Sequence, residues 1–120
     1  MNYHNKKFKV IESSASGEIS SDFVFHYQQE GNVLSCSYAD GDIKEGMLVG
    51  SVDEEGVITF TYKQINKRGQ ERSGICVSTP EIMEDGRIRL HEQWRWTDGD
   101  QSTGSTTLEE IISTPLDELP

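Results

Sequence analysis

The sequence predicts an all-β protein: a single antiparallel up-and-down meander of about eight strands that closes into a barrel, with little or no helix. Short runs of alternating apolar and polar residues, typical of half-buried strands, fill most of the chain. Glycine turns separate these runs at spacings of 10, 15, 13, 17 and 13 residues, as consecutive hairpins require. The turn glycines are Gly31, Gly41, Gly56, Gly69, Gly86 and Gly99.

The predicted strands follow one another without a separate linker. We therefore expect one barrel domain over residues 1–112 and a flexible C-terminal tail over residues 113–120, which contain two prolines and two acids. The strands are predicted at Lys7–Glu12, Ile19–Gln29, Val33–Tyr38, Ile43–Val52, Val57–Ile65, Gln70–Ser78, Arg87–Thr97 and Gly104–Ile112.

Each of the first four strands has a local signal. The first places Phe8 and Val10 on one side, and the second places Phe23 and Tyr27 together in the same way. The third is ended by an Asp-Gly turn. The fourth contains two glycines four residues apart, hence on one face, a pattern suited to a tightly curved barrel wall.

The last four strands are similarly marked. The fifth alternates Ile58 and Phe60 with polar residues. The sixth is expected to stop before Pro80, because proline cannot donate to a β ladder, and a connector from Pro80 to Asp85 could hold one helical turn. The seventh alternates most clearly, and the eighth completes the meander. One face of the seventh reads Ile88, Leu90, Glu92, Trp94 and Trp96. The other reads Arg87, Arg89, His91, Gln93 and Arg95.

Composition narrows the classes of partner. The formal net charge is −10, which disfavours nucleic acid and anionic membrane as partners. The acidity either keeps the protein soluble or attracts a cationic partner. No apolar run approaches the roughly 20 residues that span a bilayer. The N-terminus does not read as a secretory signal, and two cysteines are too few for a disulfide scaffold. We therefore expect a cytoplasmic protein with reduced thiols.

The interior of the predicted barrel is the candidate ligand site. Glu92 shares a face with two tryptophans, and a carboxylate among aromatic rings needs a partner or a raised pKa. A structural ion pair or a wet barrel mouth would also explain it, and ordinary core packing would explain the tyrosines. The predicted ligand-binding residues are Tyr27, Tyr38, Tyr62, Glu92, Trp94 and Trp96.

The opposite face of the same strand is a basic stripe in an acidic chain. An external face that pairs with Glu71 or Glu109 is one explanation. A subunit interface or an anion site is the other, since arginine binds carboxylates well, and it leads to the prediction of a homodimer through this side.

Catalytic and metal signals are weak. The three histidines lie far apart and neither cysteine has a C-x-x-C partner. No G-x-S-x-G elbow or phosphate-binding glycine loop is present. We therefore assign no catalytic residue, no metal ligand and no cofactor.

Three segments of the chain resemble a small uncharacterised bacterial family: residues 25–32 (FHYQQEGN), 74–81 (GICVSTPE) and 85–96 (DGRIRLHEQWRW). The resemblance runs from Tyr3 to Glu110. Members often bear the label N-acetylglutamate synthase, and the family is similar to avidin-like or lipocalin-like barrels. The resemblance thus implies such a barrel and, by the label, acetyl transfer, but it carries over no catalytic residues.

Three functions follow from these observations. The first is a module that binds a small, partly apolar ligand in the barrel interior. The second is the labelled acetyltransferase, for which the nearest acetyl-CoA loop, Gln101–Thr106, lacks its last small residue and leads into a strand. The third is a packed barrel that acts as an interaction or structural protein. The first is the function we predict.

Overall fold

The computed structural model describes residues 1–13, 23–40, 43–99 and 101–112, which form one antiparallel sheet of nine strands and contain no helix. Within these ranges, no helical segment has the length and apolar character needed to cross a bilayer. The predicted tail lies outside the described residues. The strands are β1 (Lys7–Ser13), β2 (Val24–His26), β3 (Gln28–Glu30), β4 (Val33–Asp40), β5 (Ile43–Val52), β6 (Ile58–Asn66), β7 (Glu71–Ile82), β8 (Ile88–Trp96) and β9 (Thr103–Ile111).

The sheet is a meander whose two edges are joined by one short piece of chain. The strand order is β2-β1-β9-β8-β7-β6-β5-β4-β3. Since β2 and β3 flank the single residue Tyr27, the two outermost strands of the sheet are continuous in sequence. The sheet therefore curls into a nearly closed barrel, which confirms the predicted fold class.

The one predicted strand that changes partner is the second. Its first four positions, 19–22, lie outside the described residues. The segment Val24–His26, β2, pairs with β1 through Phe25 opposite Phe8, and the segment Gln28–Glu30, β3, pairs with β4 through Gln29 opposite Leu34. Tyr27 sits at the switch, and its N–H donates to the Lys6 carbonyl at 2.9 Å. The predicted single strand is thus two short ones, because the chain passes from one edge of the sheet to the other.

The prediction that Pro80 ends the sixth strand is wrong. Strand β7 continues through Pro80, which lies opposite Leu90 of β8, and the expected helical turn is absent from this described stretch. The ladder to β6 ends where Ser78 meets Ile58. Beyond that point β7 has a neighbour on one side alone, so proline occupies an edge position where a missing N–H is tolerated.

Alternating side chains fill the barrel, and the predicted inward face of Ile88–Trp96 is confirmed by burial at every even-numbered position. One end of the interior is packed shut. Tyr3 is fully buried there, and its hydroxyl donates to the Gly56 carbonyl at 2.5 Å. The N-terminal segment therefore forms the floor of the barrel. The other fully buried apolar side chains near this floor are Phe8, Leu34, Ile58, Leu90 and Leu108.

Inward glycines make room for aromatic rings from the neighbouring strand. Gly46 lies against the Tyr38 ring and Gly74 lies against the Tyr62 ring. A methyl group on Gly50 would instead collide with the backbone of Thr59 and Phe60. These close approaches explain the glycines in the predicted fourth strand, because a side chain would displace a ring or push two strands apart.

Gly50→Ala is therefore expected to destabilise the protein by about 1–3 kcal/mol, since the backbone that it meets cannot rotate away as a side chain can. Urea unfolding followed by tryptophan fluorescence measures the change in the free energy of unfolding. Ser51→Ala, at the next position and exposed on the outer face, is the matched control. Equal stabilities for the two variants would contradict the proposed contact.

Candidate functional site

A cavity of about 60 Å³ lies above the packed floor, inside the barrel. That volume is several times the minimum that holds one water molecule. Every strand except β3 contributes a side chain to the cavity wall, and Tyr27 contributes from the junction between β2 and β3. The lining residues of the cavity are Val10, Ser13, Phe25, Tyr27, Tyr38, Leu48, Phe60, Tyr62, Gln64, Cys76, Glu92, Trp94, Trp96 and Thr106. Half of the lining residues are thus aromatic, and a small number have polar side chains, as is typical of a ligand pocket.

Among the described residues, Glu92 supplies the one carboxyl group of the cavity wall. It stands on β8 between Ser78 of β7 and Thr106 of β9, and it is 8% exposed. Its Oε2 atom has no hydrogen-bond partner. Burial raises the pKa of Glu92 from 4.5 to about 8, and the nearby Ser78 hydroxyl offsets part of that rise without a well-formed hydrogen bond. The carboxyl is therefore mainly protonated at neutral pH.

The two tryptophans form the adjoining wall. Their ring centroids are 6.1 Å apart, and the Tyr62 ring meets Trp96 edge-on at 5.2 Å. The indole N–H of Trp94 donates to the Thr106 hydroxyl at 2.9 Å. The indole N–H of Trp96 is buried without an acceptor, while the Arg72 guanidinium stacks 4.2 Å from the centre of that ring. Trp94 is thus fixed by the barrel, and Trp96 keeps an unused donor.

Tyr27 and Tyr38 complete the aromatic lining from the side of β2 and β4. The Tyr27 ring packs 5.1 Å from Phe8, and burial raises its pKa well above 10.0, with the Glu92 carboxyl adding to the rise. The Tyr38 hydroxyl donates to the side-chain oxygen of Gln64 at 3.1 Å. Tyr38 is therefore tied to a polar neighbour, whereas Tyr27 belongs to the packed floor as well as to the cavity.

A second buried carboxylate, that of Glu110, has a structural role in this barrel. Glu110 of β9 pairs with the Lys6 ammonium at 3.0 Å and accepts the Ile88 N–H at 3.1 Å. Both of its oxygens are therefore satisfied by the protein. Glu92 is as deeply buried but has an unpartnered oxygen, so the alternative of a structural ion pair at Glu92 is not supported by the described residues.

The structure brings all six sequence-predicted residues to this one cavity: Tyr27, Tyr38, Tyr62, Glu92, Trp94 and Trp96. Three further polar residues of the lining were not predicted from the sequence: Ser13, just beyond the predicted first strand, Gln64 and Thr106. Gln64 shares the inward parity of Phe60 and Tyr62, and Thr106 that of Leu108. The alternation that placed Glu92 would have found both, but neither residue type stands out on its own.

The predicted basic stripe on the outer face of β8 is largely paired with acids. Arg89 contacts Glu109 at 2.6 Å, and His91 contacts Glu81 at 2.7 Å. Glu71, the other acid proposed from sequence, instead pairs with Lys63 at 3.1 Å. External pairing along the sheet thus accounts for most of this stripe.

The segment nearest to an acetyl-CoA loop does not open a helix. Ser102 precedes β9, so the amides of this turn lead into a ladder and present no helix N-terminus to a pyrophosphate. In the described part of the chain, no three His, Cys, Asp or Glu side chains are grouped as a metal site.

Comparison with protein-family models matches residues 1–111 to the family described as avidin-like protein. The chain belongs to the avidin-like family. No curated protein and no solved structure matches the chain. The avidin-like match covers every described strand, so family and fold agree.

The buried carboxyl of Glu92 predicts a pH-dependent stability. Because its folded pKa of about 8 exceeds the usual 4.5, the folded state binds the extra proton between these values. The free energy of unfolding therefore falls as pH rises from about 4.5 to about 8 and then levels off. Glu92→Gln removes this loss, so its stability relative to the parent protein should grow by a few kcal/mol across the window.

Urea unfolding from pH 5 to pH 9 measures this difference. Glu54→Gln makes the same change of charge at an exposed turn residue and serves as control. A parallel pH dependence for the parent protein and Glu92→Gln would show that Glu92 is not the titrating group.

Proposed function

We propose that this chain binds a small, partly apolar molecule inside its barrel. The observation that carries the proposal is the group of unpartnered polar atoms in and beside the cavity: Glu92 Oε2, Trp96 Nε1 and Ser78 Oγ. Each buried polar group left without a partner costs about 1–3 kcal/mol. Glu92 and Ser78 lie opposite each other on β8 and β7, and Trp96 lies four residues further along β8. A ligand in the cavity can supply partners that the protein does not.

The walls of the cavity fit the apolar part of such a ligand. Aromatic side chains of β6 and β8 line the cavity beside the Glu92 carboxyl group, and the Leu48 and Phe60 side chains extend the apolar surface. Membership of the avidin-like family supports a small-molecule role without specifying the ligand. The free thiols of Cys36 and Cys76 support the cytoplasmic setting that belongs to this proposal.

Tryptophan fluorescence provides a direct test, because both tryptophans of the chain line the cavity. A panel of small, partly apolar compounds should contain members that shift the emission and raise the Tm. Ser13→Phe, which places a ring at a half-buried lining position, is expected to weaken these responses at least tenfold.

Ser37→Phe adds the same ring at an exposed position on the outer face of β4 and is the matched control. A panel without any spectral or thermal response, or a response that Ser13→Phe leaves unchanged, would contradict interior binding.

A second proposal concerns assembly, for which the outer surface provides a specific observation. Two rows of outward side chains cross six strands, β4 to β9, and neither row contains a carboxylate, although the chain has 21 acidic residues. We call these rows the neutral face because no acidic side chain lies in them; Arg95 is the one charged residue of the two rows. One row is Ser35, Val49, Thr61, Ile75, Arg95 and Thr103. The other is Val33, Ser51, Thr59, Val77, Gln93 and Ser105.

We infer that a second copy of the chain covers the neutral face. Two molecules of charge −10 repel each other, and this surface lets them meet without bringing carboxylates together. Val33, Val49, Ile75 and Val77 are exposed on it, which gives the contact an apolar centre. Gln93 and Arg95 of β8 belong to the face, so the proposal keeps part of the dimer surface predicted from sequence and moves its centre toward β6 and β7.

Light scattering at several concentrations is expected to give a dimer mass that Val77→Glu converts to a monomer mass. Ile82→Glu introduces the same charge at an exposed apolar residue outside the two rows and should leave the dimer intact. A monomer mass for the parent protein at every concentration would rule out the assembly.

A further inference from the structure

We propose that the ligand of the interior cavity is a small organic cation, a protonated short-chain alkylamine, whose nitrogen faces the carboxylate of Glu92. This inference rests on the interior binding proposed above and names the class of ligand. It is carried by three features of the described residues: the charge of the cavity wall, the aromatic faces around Glu92 and the net charge of the chain.

In the part of the chain that the structure describes, the cavity wall carries a carboxyl group and no basic side chain. The titratable groups that face Glu92 are Tyr62 from β6, Cys76 from β7 and Tyr27 from the β2–β3 junction. All three are neutral when protonated and negative when ionised, so none can compensate the carboxylate. A cation from outside the protein is therefore the partner that this wall accommodates.

Two basic residues that contact buried side chains of the barrel are engaged elsewhere. Arg72 of β7 stacks over the Trp96 ring and pairs with Asp98 at 3.2 Å. Lys6 pairs with the other buried acid, Glu110, at 3.0 Å. Neither residue belongs to the cavity lining. The unpartnered Glu92 Oε2 is thus left for a ligand.

Aromatic rings are the natural walls for an organic cation, because their faces carry negative charge. Trp94, Trp96 and Tyr62 present a connected set of rings beside Glu92, with centroids 5.2 and 6.1 Å apart. Arg72 already occupies one face of Trp96 with its guanidinium. The same rings would bury the apolar part of an amine, and the unused indole N–H of Trp96 can donate to an acceptor atom on the ligand.

The field of the whole molecule points the same way. The net charge of −10 attracts cations and repels anions. A ligand that carries a carboxylate or a phosphate would have to approach against this field and settle beside an acid, with no basic lining residue to receive it. Anionic metabolites are therefore the class that this cavity disfavours most.

Binding of a cation is coupled to a proton. Burial raises the pKa of Glu92 to about 8, so at neutral pH the free protein holds a neutral carboxyl group. A bound ammonium stabilises the carboxylate, and one proton leaves to solvent as the complex forms. Affinity for an amine is therefore expected to rise about tenfold per pH unit below pH 8 and to become constant above it.

The test compares each amine with its alcohol: ethylamine with ethanol, propylamine with propanol, and isopropylamine with isopropanol. Calorimetric titration at pH 6, 7 and 8 uses the parent protein, Glu92→Gln and Glu54→Gln. Glu54 lies in the exposed turn between β5 and β6, so its variant matches the charge change away from the cavity.

The expected result is that at least one amine binds the parent protein and Glu54→Gln more tightly at pH 8 than at pH 6, with about one proton released at pH 7. In Glu92→Gln the same amine should bind at least tenfold more weakly at pH 8 and lose its pH dependence. The corresponding alcohol should bind all three proteins alike.

Two results would overturn the inference and leave interior binding intact: an alcohol that binds as tightly as its amine at pH 8, or an amine whose affinity Glu92→Gln does not change. Absence of binding by every probe would also overturn the cation inference. The fluorescence panel then decides separately whether the cavity takes other ligands. A folded Glu92→Gln is expected, because this change removes the cost of a buried acid.

Discussion

The barrel depends on the junction at Tyr27, where one continuous piece of chain supplies both edges of the sheet. Strand β2 completes the pairing of β1, and β3 completes the pairing of β4. Without this junction the sheet would leave two unpaired edges, which invite association with other chains. Closure also decides which side chains are inside, and every feature of the cavity follows from that division.

Inside the barrel, Glu92 and Glu110 are both buried but differ in whether the protein provides partners for their carboxyl oxygens. Glu110 receives an ammonium and a backbone amide, so its charge is compensated where it stands. Glu92 receives no cation from the cavity wall, and burial shifts it toward the neutral form. The same residue type, on adjacent strands, is thus a fixed element of the fold in one place and an incomplete interaction in the other.

The alternation of the sequence predicted the barrel and the inward set of β8, because a period of two fixes the face of every side chain once the strand is placed. The break at Tyr27 and the passage of β7 through Pro80 were not predictable in this way, since each depends on where a neighbouring strand begins or ends. The size of the cavity was likewise hidden, because it depends on how rings such as Tyr62 settle over Gly74.

The junction at Tyr27 has a further consequence for exchange with solvent. β2 and β3 are held by ladders of three residue pairs each, whereas β7 and β8 share nine. Local opening begins where the fewest backbone bonds must break. The two short ladders are therefore the part of the barrel wall that separates most easily. Their separation gives the interior a route to solvent while the long ladders stay paired.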